Sequence, residues 1–315
     1  MQELRRKDRL VSDAREIEDI IQRGKACRIA VADGDAPQMI ALNYDRYSLE
    51  NGALELHFDV DLNDGCFGIF EKSDNVCFEI SYDDGMHIDI NEPRHSTLYF
   101  SSIIGNGKIE FSETPAGKIS AVRADVEVPH RPLQPLREIK KIVSQNKTCH
   151  VAMSDDGHPY IVPLSYGSDF TDDNTLELYF HSATEGRKID IFRKNNRICF
   201  EIENVGDSYS DNGDVRGGCR GRCVYSLIGP RVTGNGEVHF LEGEEKLAAL
   251  ASMFKQQSGH SITITDAMTK GICAYKIVST DFAIKANPAQ PKQSLKCKII
   301  SADYTAKKNR KKSTS

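Results

Sequence analysis

The chain has 315 residues, of which 39% are hydrophobic and 28% charged, with a net charge of −5. That length allows two domains with cores of their own, and the composition is ordinary for a globular protein. The acidic balance argues against nucleic acid as the main partner, and no apolar run approaches the length of a membrane span.

In chain order, the first predicted element is a short amphipathic helix. Asp13 and Glu16 form a capping box, and Ile17, Ile20 and Ile21 make its buried stripe. A hairpin follows with its turn at Asp33-Gly34-Asp35. Strands are then expected at Gln38–Tyr44, Ala53–Phe58 and Asn75–Ser81, followed by a later strand around Ser102–Phe111. A brief Thr114–Val122 segment leads into a linker holding Pro129, Pro132 and Pro135.

The same pattern then begins again. Lys25-Ala26-Cys27-Arg28-Ile29-Ala30-Val31 resembles Lys147-Thr148-Cys149-His150-Val151-Ala152-Met153. Leu54–Phe58 resembles Leu176–Phe180, and Val76–Ile80 resembles Ile198–Ile202. The spacings 149 − 27, 176 − 54 and 199 − 77 are all 122, which marks a duplication. The second copy has its own helix stripe (Ile139, Ile142, Val143), a turn at Asp155-Asp156-Gly157, and strands at Tyr160–Tyr166, Leu176–Phe180 and Arg197–Ile202. Its Asn204–Gly221 stretch, rich in Gly, Asp and Ser, reads as flexible. Gly105-Asn106-Gly107 returns as Gly234-Asn235-Gly236, now 129 apart, so the second copy carries an insertion before that point.

The second copy continues into a helix near Glu244–Gln257, ended by Gly259, and a closing strand at Ala274–Ile284. The first copy has no such strand in sequence. Tyr275–Phe282, however, resembles Cys297–Tyr304 at an offset of 22, with Lys285 and Asn287 matching Lys307 and Asn309. This second closing strand, 295–305, is expected to pair with the N-terminal barrel and remove its exposed edge. The alternative is a loose tail. The division expected is 1–128, 129–290 and a closing strand with a basic tail at 291–315. Many short strands with few helices predict a mainly β fold with small helices, a small antiparallel barrel per copy.

The nine cysteines suit free thiols in a reducing compartment. Cys77 and Cys199 lie inside strand-like runs, and Cys219 and Cys223 are too weak a pair for a metal site. No secretory leader is visible behind Met1–Lys7, so the cytoplasm is the expected location.

The stretch with the most chemistry is His181-Ser182-Ala183-Thr184-Glu185-Gly186-Arg187-Lys188. It follows a strand and opens a helix, so Arg187 and Lys188 fall in a helical first turn. The helix dipole disfavours cations there unless an anion binds. The plain alternative is a solvated charge pair, and His181 by itself could satisfy a hydrogen bond at a strand end.

Taken in order, these segments resemble a known family. They are Leu4–Arg9, Pro159–Tyr166, Leu178–Lys188, Asn196–Glu201 and Tyr225–Gly229. They are similar to the FMN-binding split barrels of the pyridoxamine 5′-phosphate oxidase-like superfamily, nearest its nitroimidazole-resistance branch. Family members are usually homodimers with FMN between subunits. The resemblance implies that Arg187 and Lys188 hold the FMN phosphate. It places His181 and Ser182 in the same pocket, Val162, Pro163, Leu164 and Ser165 beside the isoalloxazine, and Ser226 as a further contributor. Tyr160, Tyr166 and Tyr225 remain open between core, rim and flavin contact. At the 122 offset, His181, Ser182, Gly186, Arg187 and Lys188 become Asp59, Val60, Asp64, Gly65 and Cys66. One FMN per chain is therefore expected, together with an oxidoreductase acting on small electron-poor compounds. The alternative is a non-catalytic flavin- or haem-binding protein. The resemblance also implies that the two copies are tandem split β-barrels standing in for the two subunits, an intrachain pseudo-dimer that would be monomeric or associate further.

Overall fold

The computed structural model describes residues 9–24, 26–61, 70, 73–90, 96–111, 136–203, 231–285 and 294–308. The expected Asn204–Gly221 loop, Ser226, Cys219, Cys223 and the linker prolines lie outside them.

The fold is mainly β, with two seven-stranded antiparallel sheets in tandem. The first contains β1 (Leu10–Val11), β2 (Ala26–Asp33), β3 (Ala36–Glu50), β4 (Ala53–Asp61), β5 (Asn75–His87), β6 (Thr97–Phe111) and β14 (Ser294–Lys308). Helix α1 (Ala14–Gly24) starts where Asp13 Oδ1 accepts hydrogen bonds from the amides of Arg15 and Glu16, at 2.9 and 3.1 Å. It buries Ile17, Ile20 and Ile21. The second sheet contains β7 (Thr148–Asp155), β8 (His158–Ser165), β9 (Gly167–Phe170), β10 (Leu176–Ala183), β11 (Arg197–Glu203), β12 (Arg231–Leu241) and β13 (Ile272–Lys285). Its helices are α2 (Leu136–Gln145), α3 (Arg187–Lys194) and α4 (Gly243–Ser258). None of the described helices is long and apolar enough to cross a membrane.

Strand β14 lies between β4 and β6 and closes the first sheet into a ring. It contributes Cys297, Ile299 and Ala306 to that core. The pairing repeats that of β12 with β13 in detail. A Cβ on Gly107 would sit 2.7 Å from the Ile300 carbonyl and 2.8 Å from Ile299 Cγ2; one on Gly236 would meet Val278 O and Ile277 Cγ2 at the same distances. Ser301 Oγ donates to Asn106 O and Ser279 Oγ to Asn235 O, both at 2.6 Å. Asn106 and Asn235 then donate to Asp303 and Asp281. Each pair carries a register shift at this point. The Gly-Asn-Gly and Ser-x-Asp motifs are thus two sides of one bulged contact, made twice.

The halves meet across a mixed seam. Ala30, Met39 and Cys77 of the first pack with Ala152, Ile161 and Cys199 of the second. Beside them lies a buried charge cluster. Arg28 reaches Glu79 at 3.3 Å, Glu201 at 3.4 Å and also Glu203, and Arg231 reaches Glu201 at 3.2 Å. His150 Nε2 lies 3.5 Å from Glu79 and 3.4 Å from Ser81 Oγ. Burial, then Arg28, holds the His150 pKa well below the usual imidazole value. Burial opposes the Arg28 charge too, but Glu203, Glu79 and Glu201 outweigh it and hold the guanidinium protonated.

Candidate functional site

Strand β10 alternates cleanly: Leu176, Leu178 and Phe180 are buried, while Glu177 and Tyr179 face outward. The strand runs three residues beyond the expected end at Phe180. His181 and Ser182 therefore belong to it and leave opposite faces. His181 is open to solvent, and its Nδ1 lies 3.3 Å from Met253 Sδ on α4. Its surroundings are nevertheless dense: burial and then Lys188 lower its pKa, keeping the ring neutral at pH 7. Ser182 Oγ donates to Ala183 O at 2.9 Å, and the residue stands opposite Cys273 on β13.

After Ala183 the chain turns through Gly186, whose φ of 135° favours glycine, and enters α3. Ile189, Ile191 and Phe192 bury the inner face of this helix. The first intrahelical bonds are made by the amides of Ile189 and Asp190 to Gly186 O, so those of Arg187 and Lys188 find no partner within the helix. Among the described residues no side chain caps this end. The Arg187 guanidinium lies 4.3 Å from the centroid of the Tyr160 ring and 4.0 Å from Asp155. That contact ties the start of α3 to β8. The Lys188 ammonium is pushed down to about 8, first by burial and also by Lys307 on the first half; Cys273 acts in the opposite sense. Lys188 keeps some solvent contact, as His181 does.

Strand β8 runs along the seam. Val162 and Leu164 face the second core; Pro163 stands opposite His150 on the face turned to the first half, with Ile161 two residues before it. The missing N–H of Pro163 is tolerated because β8 is an edge strand among the described residues, paired with β7. Tyr166 is core: it is fully buried and donates to Val143 O at 2.6 Å. Helix α4 rests directly on β9, since a Cβ at Gly167 would lie 2.4 Å from Met253 Cα. Gln256 and Gln257 anchor the helix through backbone carbonyls of Val143, Asn146, Lys147 and Tyr166. Met253 is thereby fixed under His181.

Lys188 acts on His181 and is acted on by Lys307 of the first half, and Arg187 lies over Tyr160, so the start of α3 and the end of β10 at the seam form the candidate recess. Ser226 lies outside the described residues, as do Asp64, Gly65 and Cys66 and the side chains of Asp59 and Val60. Sequence reasoning missed Met253 and Lys307; the only signal for Lys307 was its match to Lys285 across the repeat. Two basic side chains and first-turn amides that have no partner within the helix suit a phosphate monoester. A cavity of about 520 Å³ between α2 and β9, lined by Arg137, Lys140, Lys141, Ser144, Ser168, Asp169 and Phe170, shares no residue with the recess. Its cations lie on the solvent side of α2, opposite Ile139, Ile142 and Val143. Among the described residues no cluster of His, Cys, Asp or Glu could hold a metal ion.

Residues 135–215 match the family model described as pyridoxamine 5′-phosphate oxidase. Comparison with curated proteins gives no match. Among solved structures, the chain is similar to that of a candidate 5-nitroimidazole antibiotic resistance protein from Bacteroides thetaiotaomicron. The identity is 19% and the TM-score 0.34, with 71% of this chain and 94% of that one covered. A FAD-binding protein from Mesorhizobium loti is 20% identical with a TM-score of 0.31, covering 53% and 95%. A FAD- and haem-binding protein from Mycobacterium smegmatis is 14% identical with a TM-score of 0.37, covering 50% and 73%. The stretch similar to the pyridoxamine 5′-phosphate oxidase family, residues 135–215, thus runs from α2 past β11 and includes β8, β10 and the start of α3.

Proposed function

We propose that the chain binds one FMN in the recess at the seam and acts as an oxidoreductase on small electron-poor compounds such as nitro-aromatics. The observation that carries this reading is the pair Arg187 and Lys188 at a helix start without a side-chain cap, with His181, whose pKa burial and Lys188 lower, at the end of the preceding strand. Arg187 offers a planar fork and Lys188 a point charge to a phosphate, and the free amides of the first turn complete the cradle. The backbone of Val162–Ser165 borders the ring system, and His181 at pH 7 can accept a hydrogen bond or take up a proton from a substrate. Ser182 and Ser226 are the remaining candidate contacts. Bound flavin supplies hydride or single-electron transfer. The first half offers Asp59, Asp64, Gly65 and Cys66 at the equivalent sequence positions, a set that repels a phosphate dianion. Hence one flavin per chain.

The test is the absorbance spectrum and released-flavin content of the purified full-length chain. A flavin:protein ratio near one supports the reading, and a ratio near two refutes the single site. A Soret band would replace flavin with haem. Arg187→Ala/Lys188→Ala protein that retains full FMN would remove the phosphate assignment. Turnover with a nicotinamide donor and nitroimidazole or quinone acceptors tests the reaction.

A further inference from the structure

We propose that Lys307, on the closing strand of the first half, is a cofactor-phosphate-binding residue of the recess in the second half, so that the anion subsite is built from both halves. This rests on the flavin reading above.

The placement follows from strand register. Ile104 on β6 stands opposite both Glu79 on β5 and Thr305 on β14. Directly opposed residues share a face, and this face meets the second half: Glu79 approaches His150, and Ile104 packs against the second core. One step along, Ser81, Ser102 and Lys307 form the next row of the same face. Ser81 itself approaches His150 at 3.4 Å. Ala306 and Ile103, between those rows, point into the first core as alternation requires. Lys307 is thus directed at the seam by the sheet.

The charge that Lys307 acts on there is another cation. Lys188 of the second half and Lys307 lie close enough for Lys307 to depress the Lys188 ammonium, and Lys307 is itself depressed by burial and by Arg9. Among the described residues no carboxylate enters either balance. Two partly buried ammonium groups that destabilise each other's charge on the two sides of a seam are unfavourable unless an anion binds beside them. The open amides at the start of α3 point to the same anion. Lys308, the next residue, leaves the opposite face and serves as a control.

The experiment uses the full-length protein stripped of flavin. Binding of FMN and of riboflavin is followed by quenching of flavin fluorescence in wild type, Lys307→Ala, Lys307→Arg and Lys308→Ala. Stabilisation by inorganic phosphate is followed by thermal melting. For a single charge-assisted contact, Lys307→Ala should weaken FMN about tenfold or more. Riboflavin should weaken less than about twofold, Lys307→Arg should recover most of the loss and Lys308→Ala should change neither. Equal weakening of FMN and riboflavin, or unchanged FMN affinity, overturns the proposal. If wild type binds neither flavin but phosphate stabilises it and not Lys307→Ala, the anion site stands and the flavin reading falls. If phosphate stabilises both alike or neither, Lys307 is no part of an anion site.

Discussion

Replacing Arg28 with Ala tests how far the two halves depend on each other. The guanidinium is 4% exposed and neutralises Glu79 from its own half together with Glu201 and Glu203 from the other. Alanine would leave three carboxylates, exposed by 0, 1 and 10%, with Arg231 as the remaining described guanidinium in contact with one of them. Removing one partner of a buried ion pair costs about 3–5 kcal/mol, because the stranded charge must stay desolvated or take up a proton. At roughly 2 °C per kcal/mol for a chain of this size, the melting temperature should fall by about 6–10 °C. The assay is urea and thermal unfolding at pH 7 with circular dichroism, alongside Arg28→Lys, which restores charge without the fork. A loss below about 1 kcal/mol for Arg28→Ala would show that water already solvates the cluster, and the description of the seam as a buried electrostatic lock would be wrong.

Ending the chain before Pro291 removes β14, uncovers the edges of β4 and β6 and deletes Cys297, Ile299 and Ala306 from the core; a sharply reduced soluble fraction is expected, and an unchanged melt would refute the closure. Gly234→Ala would press a Cβ to 2.6 Å from Asp281 O and 2.7 Å from Phe200 Cζ, and Gly105→Ala to 2.6 Å from the Phe78 ring. Each should cost about 1–3 kcal/mol in chemical unfolding, and a neutral result for both would discredit the close approach. Lys188 gives a pH signature. With its folded pKa near 8 against 10.5 for the ordinary value, both states are charged below about pH 8, and the folded chain loses its proton first above that. Stability of flavin-free protein should therefore rise between about pH 8 and 10.5, and this increment should vanish in Lys188→Met.

The duplication was legible because it is written in strand cores: Cys27 and Cys149, Leu56 and Leu178, Phe78 and Phe200 fill the same positions of the two barrels. Element ends were less legible. Asn75–Ser81 was expected where β5 runs to His87, and Gln38–Tyr44 where β3 spans Ala36–Glu50. Beyond the core a strand is held by its ladder rather than by apolar alternation, and hydrogen bonds leave no pattern in side chains. The same limit applies to the recess. Arg187 and Lys188 announced themselves by their place at a helix start. Met253 and Lys307 could not, because one is an ordinary core methionine of α4 and the other an ordinary strand lysine. Their relevance comes from packing between segments 72 (253 − 181) and 119 (307 − 188) residues apart in sequence.

The seam shows how an intrachain pair can depart from the symmetry of a homodimer. Positions 28 and 150, 79 and 201, and 81 and 203 are each 122 apart. Arg28 with Glu203 is therefore the two-fold mate of His150 with Ser81, and Arg28 with Glu201 the mate of His150 with Glu79. On one side the contact is guanidinium to carboxylate, and on the other a neutral imidazole to a hydroxyl. In a homodimer any substitution appears on both sides of the axis at once, so placing Arg28 without losing His150 is impossible. Covalent linkage lifts that restriction. It lets one copy of each contact carry a cation and the other a neutral imidazole, which limits the number of desolvated cations at the axis. The cofactor motif follows the same rule: cations at 187 and 188 stand against glycine and cysteine at 65 and 66. A chain that has already separated the roles of its halves at the axis has no symmetry reason to keep two identical recesses. It is free to turn the residues of one half, Lys307 among them, towards the site of the other.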